Sequence, residues 1–143
     1  MALSSEHVLK VYNINSLKPN KFSFIASREI KTITFFRKNF LLIASKDELQ
    51  ILDYINNKII KYISTGYNIF KIIVNEFKVL IAESDNKNDK SRFTIYKIDM
   101  KNNFDIKRLS FIDNPHKTSA FNIVLCKDGT IITHHHESMK IWK

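Results

Sequence analysis

Short apolar runs, many of them alternating with polar residues, succeed one another along the whole chain and predict fourteen strands. They cover residues 1–5, 9–12, 21–25, 30–36, 40–45, 49–52, 59–63, 69–74, 79–84, 93–98, 106–111, 120–125, 130–135 and 139–142. Alternation is clearest in Ile59-Ile60-Lys61-Tyr62-Ile63 and Phe93-Thr94-Ile95-Tyr96-Lys97-Ile98, as in strands with one buried face. Ile69-Phe70-Lys71-Ile72-Ile73-Val74 is almost wholly apolar, which predicts a strand packed on both faces. No window keeps apolar residues at helical spacing beyond two turns, and β-branched residues are dense, so no helix is predicted.

One pattern recurs: an apolar residue, a polar one, an aliphatic one, then a bulky apolar one. The copies are Leu9-Lys10-Val11-Tyr12, Leu49-Gln50-Ile51-Leu52, Phe93-Thr94-Ile95-Tyr96 and Met139-Lys140-Ile141-Trp142. Their last residues stand at 12, 52, 96 and 142, at intervals of 40, 44 and 46 residues. That period matches the ~40–45 residues of a four-stranded propeller blade. In three copies the preceding apolar run ends four residues before the pattern, at Ser5, Ser45 and His135, which predicts a hairpin repeated in register. The third copy carries a polar insertion, residues 85–92, read as an exposed, mobile loop. The expected fold is all-β: one domain, 1–143, of antiparallel four-stranded blades in units of about 1–28, 29–66, 67–115 and 116–143. Together they make about three and a half blades, an incomplete propeller.

Two segments carry a family resemblance. The first is Phe40-Leu41-Leu42-Ile43-Ala44-Ser45-Lys46-Asp47-Glu48-Leu49-Gln50-Ile51-Leu52-Asp53, and the second runs from Lys127-Asp128-Gly129-Thr130 to Ile141-Trp142-Lys143. Both resemble WD40 repeats, whose Asp-Gly turn opens the second strand and whose Trp-Asp pair closes the third. The repeats are degenerate: Trp is kept only at 142, the acidic partner in these two units only at Asp53, and the Gly-His element is missing. The family's His–Asp network therefore does not carry over. Phe36-Arg37-Lys38-Asn39-Phe40-Leu41-Leu42-Ile43 and Asp113-Asn114-Pro115-His116-Lys117 are similar, in order and spacing, to elements in the N-terminal half of the PROPPINs, the phosphoinositide-binding propellers of autophagy. That similarity implies autophagy or membrane traffic. The paired-arginine motif through which the family binds lipid is absent, so lipid binding is not implied for this chain.

Composition changes the picture in few places. With two Gly and two Pro, turns fall to Asn and Asp, at Asn13, Asn15, Asn56-Asn57, Asn86, Asn88, Asn102-Asn103 and Asp128-Gly129. The formal charge of +9 is nearly all Lys and accompanies abundant Asn and Ile, a bias that A- and T-rich codons supply without selection for a basic surface. No apolar run approaches the ~18–20 residues of a membrane span, and the first residues lack the form of a secretory signal. The single Cys126 reads as a small buried hydrophobe. These features predict a cytoplasmic protein.

His134 and His136, two apart on a strand, put their Cβ atoms ~6.5–7 Å apart, a spacing zinc ligands use. Only Glu137 and His116 could complete a site, and the triplet is read as a solvated hairpin end with no metal. Lys61-Tyr62, Phe70-Lys71 and Tyr96-Lys97 interleave aromatics with cations, but neighbouring strand residues face opposite ways, which sends the ring to the core and the Lys to water. No Gly-rich phosphate loop and no Ser-His-acid pattern occurs, so no catalytic residue and no cofactor is assigned and a non-enzymatic role is expected. The chain reads as an interaction scaffold that docks an acidic protein segment, with Lys87, Lys90, Arg92, His116 and Lys117 as candidate contacts. A basic RNA- or ribosome-associated protein is a second reading, with nucleic acid the less favoured partner. A third makes the chain half of a split propeller, completed by a second copy or another protein at the apolar edges Leu3 and Ile141.

Overall fold

In the computed structural model the described residues are 2–12, 19–26, 28–76, 78–85, 90–113, 122–135 and 138–143. Among them the chain forms fourteen antiparallel strands in four sheets, at nearly the positions the alternation predicts. It divides into two compact units, Met1–Ile69 and Phe70–Lys143.

The first unit holds a three-stranded sheet of β1 (Ala2–Ser5), β2 (Val8–Tyr12) and β3 (Pro19–Ile25). Its four-stranded sheet comprises β4 (Thr32–Phe36), β5 (Phe40–Ser45), β6 (Glu48–Asp53) and β7 (Lys58–Ser64). The hairpins β1–β2 and β5–β6 close through two-residue turns, Glu6-His7 and Lys46-Asp47, whose first residues take left-handed angles (φ 44° and 52°). Both turns do the same work. The carbonyl of Asp47 accepts the Thr65 amide at 2.8 Å and that of Lys46 accepts Ile69 at 2.6 Å; likewise His7 accepts Ala26 at 2.8 Å, and Glu6 accepts Ile30. Each hairpin tip thus anchors the segment leading out of its own sheet, and the repeat seen in the sequence becomes a repeat of backbone hydrogen bonds.

Between these two sheets Leu9, Val11, Ala26, Ile30, Leu41, Ile43 and Leu52 form a buried cluster, with Phe24, Ile33 and Tyr54 against it. Every residue of β5 and β6 after the first is buried, whereas β7, an edge strand, is largely open. Tyr62 therefore stands 66% exposed, contrary to the expectation that alternation buries it: on an edge strand neither face is fully covered.

In the second unit β8 (Asn68–Asn75, its first two residues still in the first unit), β9 (Lys78–Asp85), β10 (Lys90–Asp99) and β11 (Asp105–Asp113) make a four-stranded sheet. β12 (Asn122–Leu125), β13 (Ile131–His135) and β14 (Ser138–Trp142) make a three-stranded one. Leu80, Ala82, Phe93, Ile123, Leu125 and Ile131 form the core, with Trp142 packed on it. Trp142 Nε1 donates to the buried Thr133 hydroxyl at 3.1 Å. The apolar strand β8 is only partly buried, because it lies at an edge of its sheet; full burial belongs to Val79–Ala82 in the middle.

The insertion is shorter than predicted. Lys90↔Asp85, Ser91↔Ser84 and Arg92↔Glu83 pair as β9–β10, and Ser91 is buried, so the loop reading fails for 85 and for 90–92, where the ladder satisfies the backbone. Cys126 is half-buried at a turn, its carbonyl accepting Gly129 N and Asn75 Nδ2, and is not the core hydrophobe expected. Left-handed turn residues include Asn57, Asn103 and Gly129, but also Glu6, Arg37, Lys46, Glu76 and Phe104. The tight reversals fix those angles whatever residue occupies them. Asn13, Asn15, Asn86 and Asn88 lie outside the described residues.

Asp53 and Asp99 each close a third strand by accepting two amides of the turn that follows, Ile55 and Asn56 in one case and Lys101 and Asn102 in the other. In three sheets the register slips between Lys10/Tyr12, Ile51/Leu52 and Ile95/Tyr96, on the next-to-last strand, and the edge strand beside them. The edge strand holds the additional residues, Ile60 in β7 and Leu109 in β11.

Candidate interaction surface

Of the five predicted contact residues the structure describes one fully. Arg92 lies on β10, opposite Glu83 on one side and Asp113 on the other. Lys90 lies two residues earlier on the same strand, and Lys87, His116 and Lys117 lie outside the described residues. Of the histidines, His134 is exposed on β13, His135 belongs to the same strand and His136 falls outside. No group of three or more metal-ligating side chains occurs among the described residues.

Around Arg92 a cluster forms that sequence reasoning missed. The bulge at Leu109 brings Arg108 opposite Tyr96 and Phe111 opposite Thr94, so Arg92, Phe111 and Arg108 share one face of the β10–β11 pair. Strict alternation would put Arg108 and Phe111, three apart, on opposite faces; only the bulge joins them. Arg92 Nε donates to Asp113 Oδ1 at 2.6 Å. Its guanidinium lies 4.8 Å from the Phe111 ring centroid and that of Arg108 5.2 Å, both within cation–π range. The ring is nevertheless 47% exposed.

The same face is polar beneath. Glu83 and Thr94 are each 1% exposed, and the Thr94 hydroxyl donates to Glu83 Oε2 at 2.6 Å. Burial pushes the Tyr96 hydroxyl above its usual range and the Glu83 carboxylate adds to this, while Arg108 and Arg92 oppose it. The Tyr96 phenol therefore stays neutral at physiological pH. A buried carboxylate thus sits below two guanidiniums that present an aromatic ring to solvent. The arrangement suits recognition of carboxylates and rings, the pairing at which Arg and aromatic residues concentrate binding energy.

A second feature lies on the last sheet. Val124 pairs with Ile132 and Ile132 with Ile141, while Met139 pairs with His134. Val124, Ile132, Met139 and Ile141 consequently share one face, on which Val124, Met139 and Ile141 are more than half exposed.

No family model and no curated protein matches the sequence. Solved structures do. A chain of the mitotic checkpoint complex superimposes with a TM-score of 0.75 over 96% of this chain and 44% of its own length, at 15% identity. Kluyvelomyces marxianus Hsv2, a PROPPIN, does so with a TM-score of 0.60 over 98% of this chain and 46% of its own, at 13% identity. The fold is that of part of a WD40-type β-propeller. The chain spans less than half the length of either solved protein.

Proposed function

We propose that the protein is a scaffold that docks an acidic, aromatic-bearing protein segment on the Arg92–Phe111–Arg108 face of β10–β11. The observation that carries this reading is the half-exposed Phe111 ring with two guanidiniums 4.8 and 5.2 Å from its centroid. A rigid ring with cations beside it offers apolar contact and charge at once, the combination that makes interface hot spots. The likeness to a PROPPIN in fold supports a place in autophagy or membrane traffic. The test is fluorescence anisotropy with a labelled peptide that carries a central Trp between glutamates. Arg108→Ala and Phe111→Ala should each weaken binding about tenfold, about 1.4 kcal/mol, while Lys58→Ala on another sheet should not. Unchanged binding in the double variant would refute the site.

The exposed Val124–Ile132–Met139–Ile141 face favours a second reading, self-association. Two copies, each spanning 44–46% of a solved propeller chain, approach the length of one, and a sheet from a second copy would cover the apolar face. Light scattering during size exclusion should give a dimer that Ile141→Asp dissociates; a folded monomer over the micromolar range would exclude it.

A further inference from the structure

The opposite face of the same sheet carries an arrangement that scaffold docking does not use. Lys78 on β9 pairs directly with Lys97 on β10, and Lys97 pairs directly with Lys107 on β11. Three lysines therefore stand in one row across three strands. Like charges directly opposite destabilise a sheet, and among the described residues none of the three has an ion-pair partner.

At the end of this row is a cavity of about 410 Å³, lined by Asn75, Glu76, Lys78, Lys97, Leu109 and Lys127. Its size is within the ~300–1,000 Å³ of small-molecule sites. Three lysines and one glutamate line it, so the lining is net positive. Two backbone features shape it. Gly129, at φ +97°, leaves room for Lys78 Nζ, which lies 3.3 Å from where a Cβ would stand. Asn75 Nδ2 donates to the Cys126 carbonyl at 2.7 Å, tying the end of β8 to the Cys126–Gly129 turn that carries Lys127. The bulged Leu109 adds an apolar wall.

We infer that this cavity binds the phosphate group of a small molecule, with Lys78, Lys97 and Lys127 as its cations. Lysine supplies a point charge to phosphate without demanding the planar fork of arginine. Lys78 and Lys97 stand directly opposite each other at the cavity with no ion-pair partner among the described residues, and a local charge rule broken in this way is expected at a site that a ligand completes. The phosphate can come from a soluble polyphosphate or from a lipid headgroup.

The test uses the full chain and inorganic pyrophosphate, by calorimetric titration and thermal shift at low and high salt. Pyrophosphate should raise the Tm, and Lys97→Gln and Lys127→Gln should each weaken binding about five- to tenfold. Lys97→Gln also removes two like-charge contacts, so it should raise the Tm of the unliganded protein while it weakens binding. A folding defect would instead lower the Tm. Absence of binding, or equal weakening by Lys58→Gln and Lys97→Gln, would overturn the inference. Co-sedimentation with phosphatidylcholine vesicles, with and without phosphatidic acid, separates the sources. Lysine-dependent binding to the acidic vesicles assigns a headgroup; pyrophosphate binding without it assigns a soluble phosphate compound.

Discussion

Replacing Thr94 by Val tests the buried polar layer on β9–β10 with almost no change of shape. Thr94 and Glu83 are both 1% exposed, and the Thr94 hydroxyl donates to Glu83 Oε2 at 2.6 Å. The substitution puts a methyl group where that donor was, at a position almost closed to solvent. Removing one partner of a buried hydrogen bond costs about 1–3 kcal/mol. At about 4 °C per kcal/mol, near the value for domains of this size, the Tm should fall by roughly 4–12 °C. Thr94→Ser keeps the donor and loses one methyl group, so it should cost only about 0.8 kcal/mol. Calorimetric unfolding of the three proteins at neutral pH measures the differences. The reasoning fails if Thr94→Val is within about 0.5 kcal/mol of the parent, or if Thr94→Ser loses as much as Thr94→Val.

Two further outcomes follow from single side chains. Burial raises the Asp53 carboxyl, but hydrogen bonds from the Asn56 side chain and the Asn56 and Ile55 amides outweigh it and hold the group below its ordinary 3.8. A depressed carboxyl contributes stability that is complete above that value and lost as pH falls through its folded-state value; urea midpoints should drop below about pH 4, less steeply in Asp53→Asn. Thr133→Val removes the acceptor of Trp142 Nε1 and should cost about 0.5–1.5 kcal/mol, with a shifted emission maximum of the single tryptophan.

The strands were legible because hairpin spacing and alternation are local. Phe40–Ser45 is β5 to the residue, and the four-residue step from Ser45 to Leu49 is the turn Lys46-Asp47. What depended on register between strands was not legible. Arg108 and Phe111 meet only through the bulge at Leu109, and nothing in Ile106-Lys107-Arg108-Leu109-Ser110-Phe111 announces it. Lys78, Lys97 and Lys107 are scattered in a lysine-rich chain until pairing aligns them. The polar insertion misled for the opposite reason. Lys90, Ser91 and Arg92 look like loop residues, yet the ladder runs through them because β9–β10 buries polar side chains at this end, Glu83 and Ser91 among them.

The register slips beside β3, β7 and β11 also determine how these sheets end. A straight edge strand presents evenly spaced amides and carbonyls and recruits any passing extended chain, including another copy of the same protein. Ile60 and Leu109 interrupt that spacing near the middle of β7 and β11, and a bulge both unpairs a residue and increases the local twist. These borders are therefore poor templates for strand addition. The chain resists edge-to-edge aggregation there despite its high strand content, and whatever it recognises along those borders must be read by side chains.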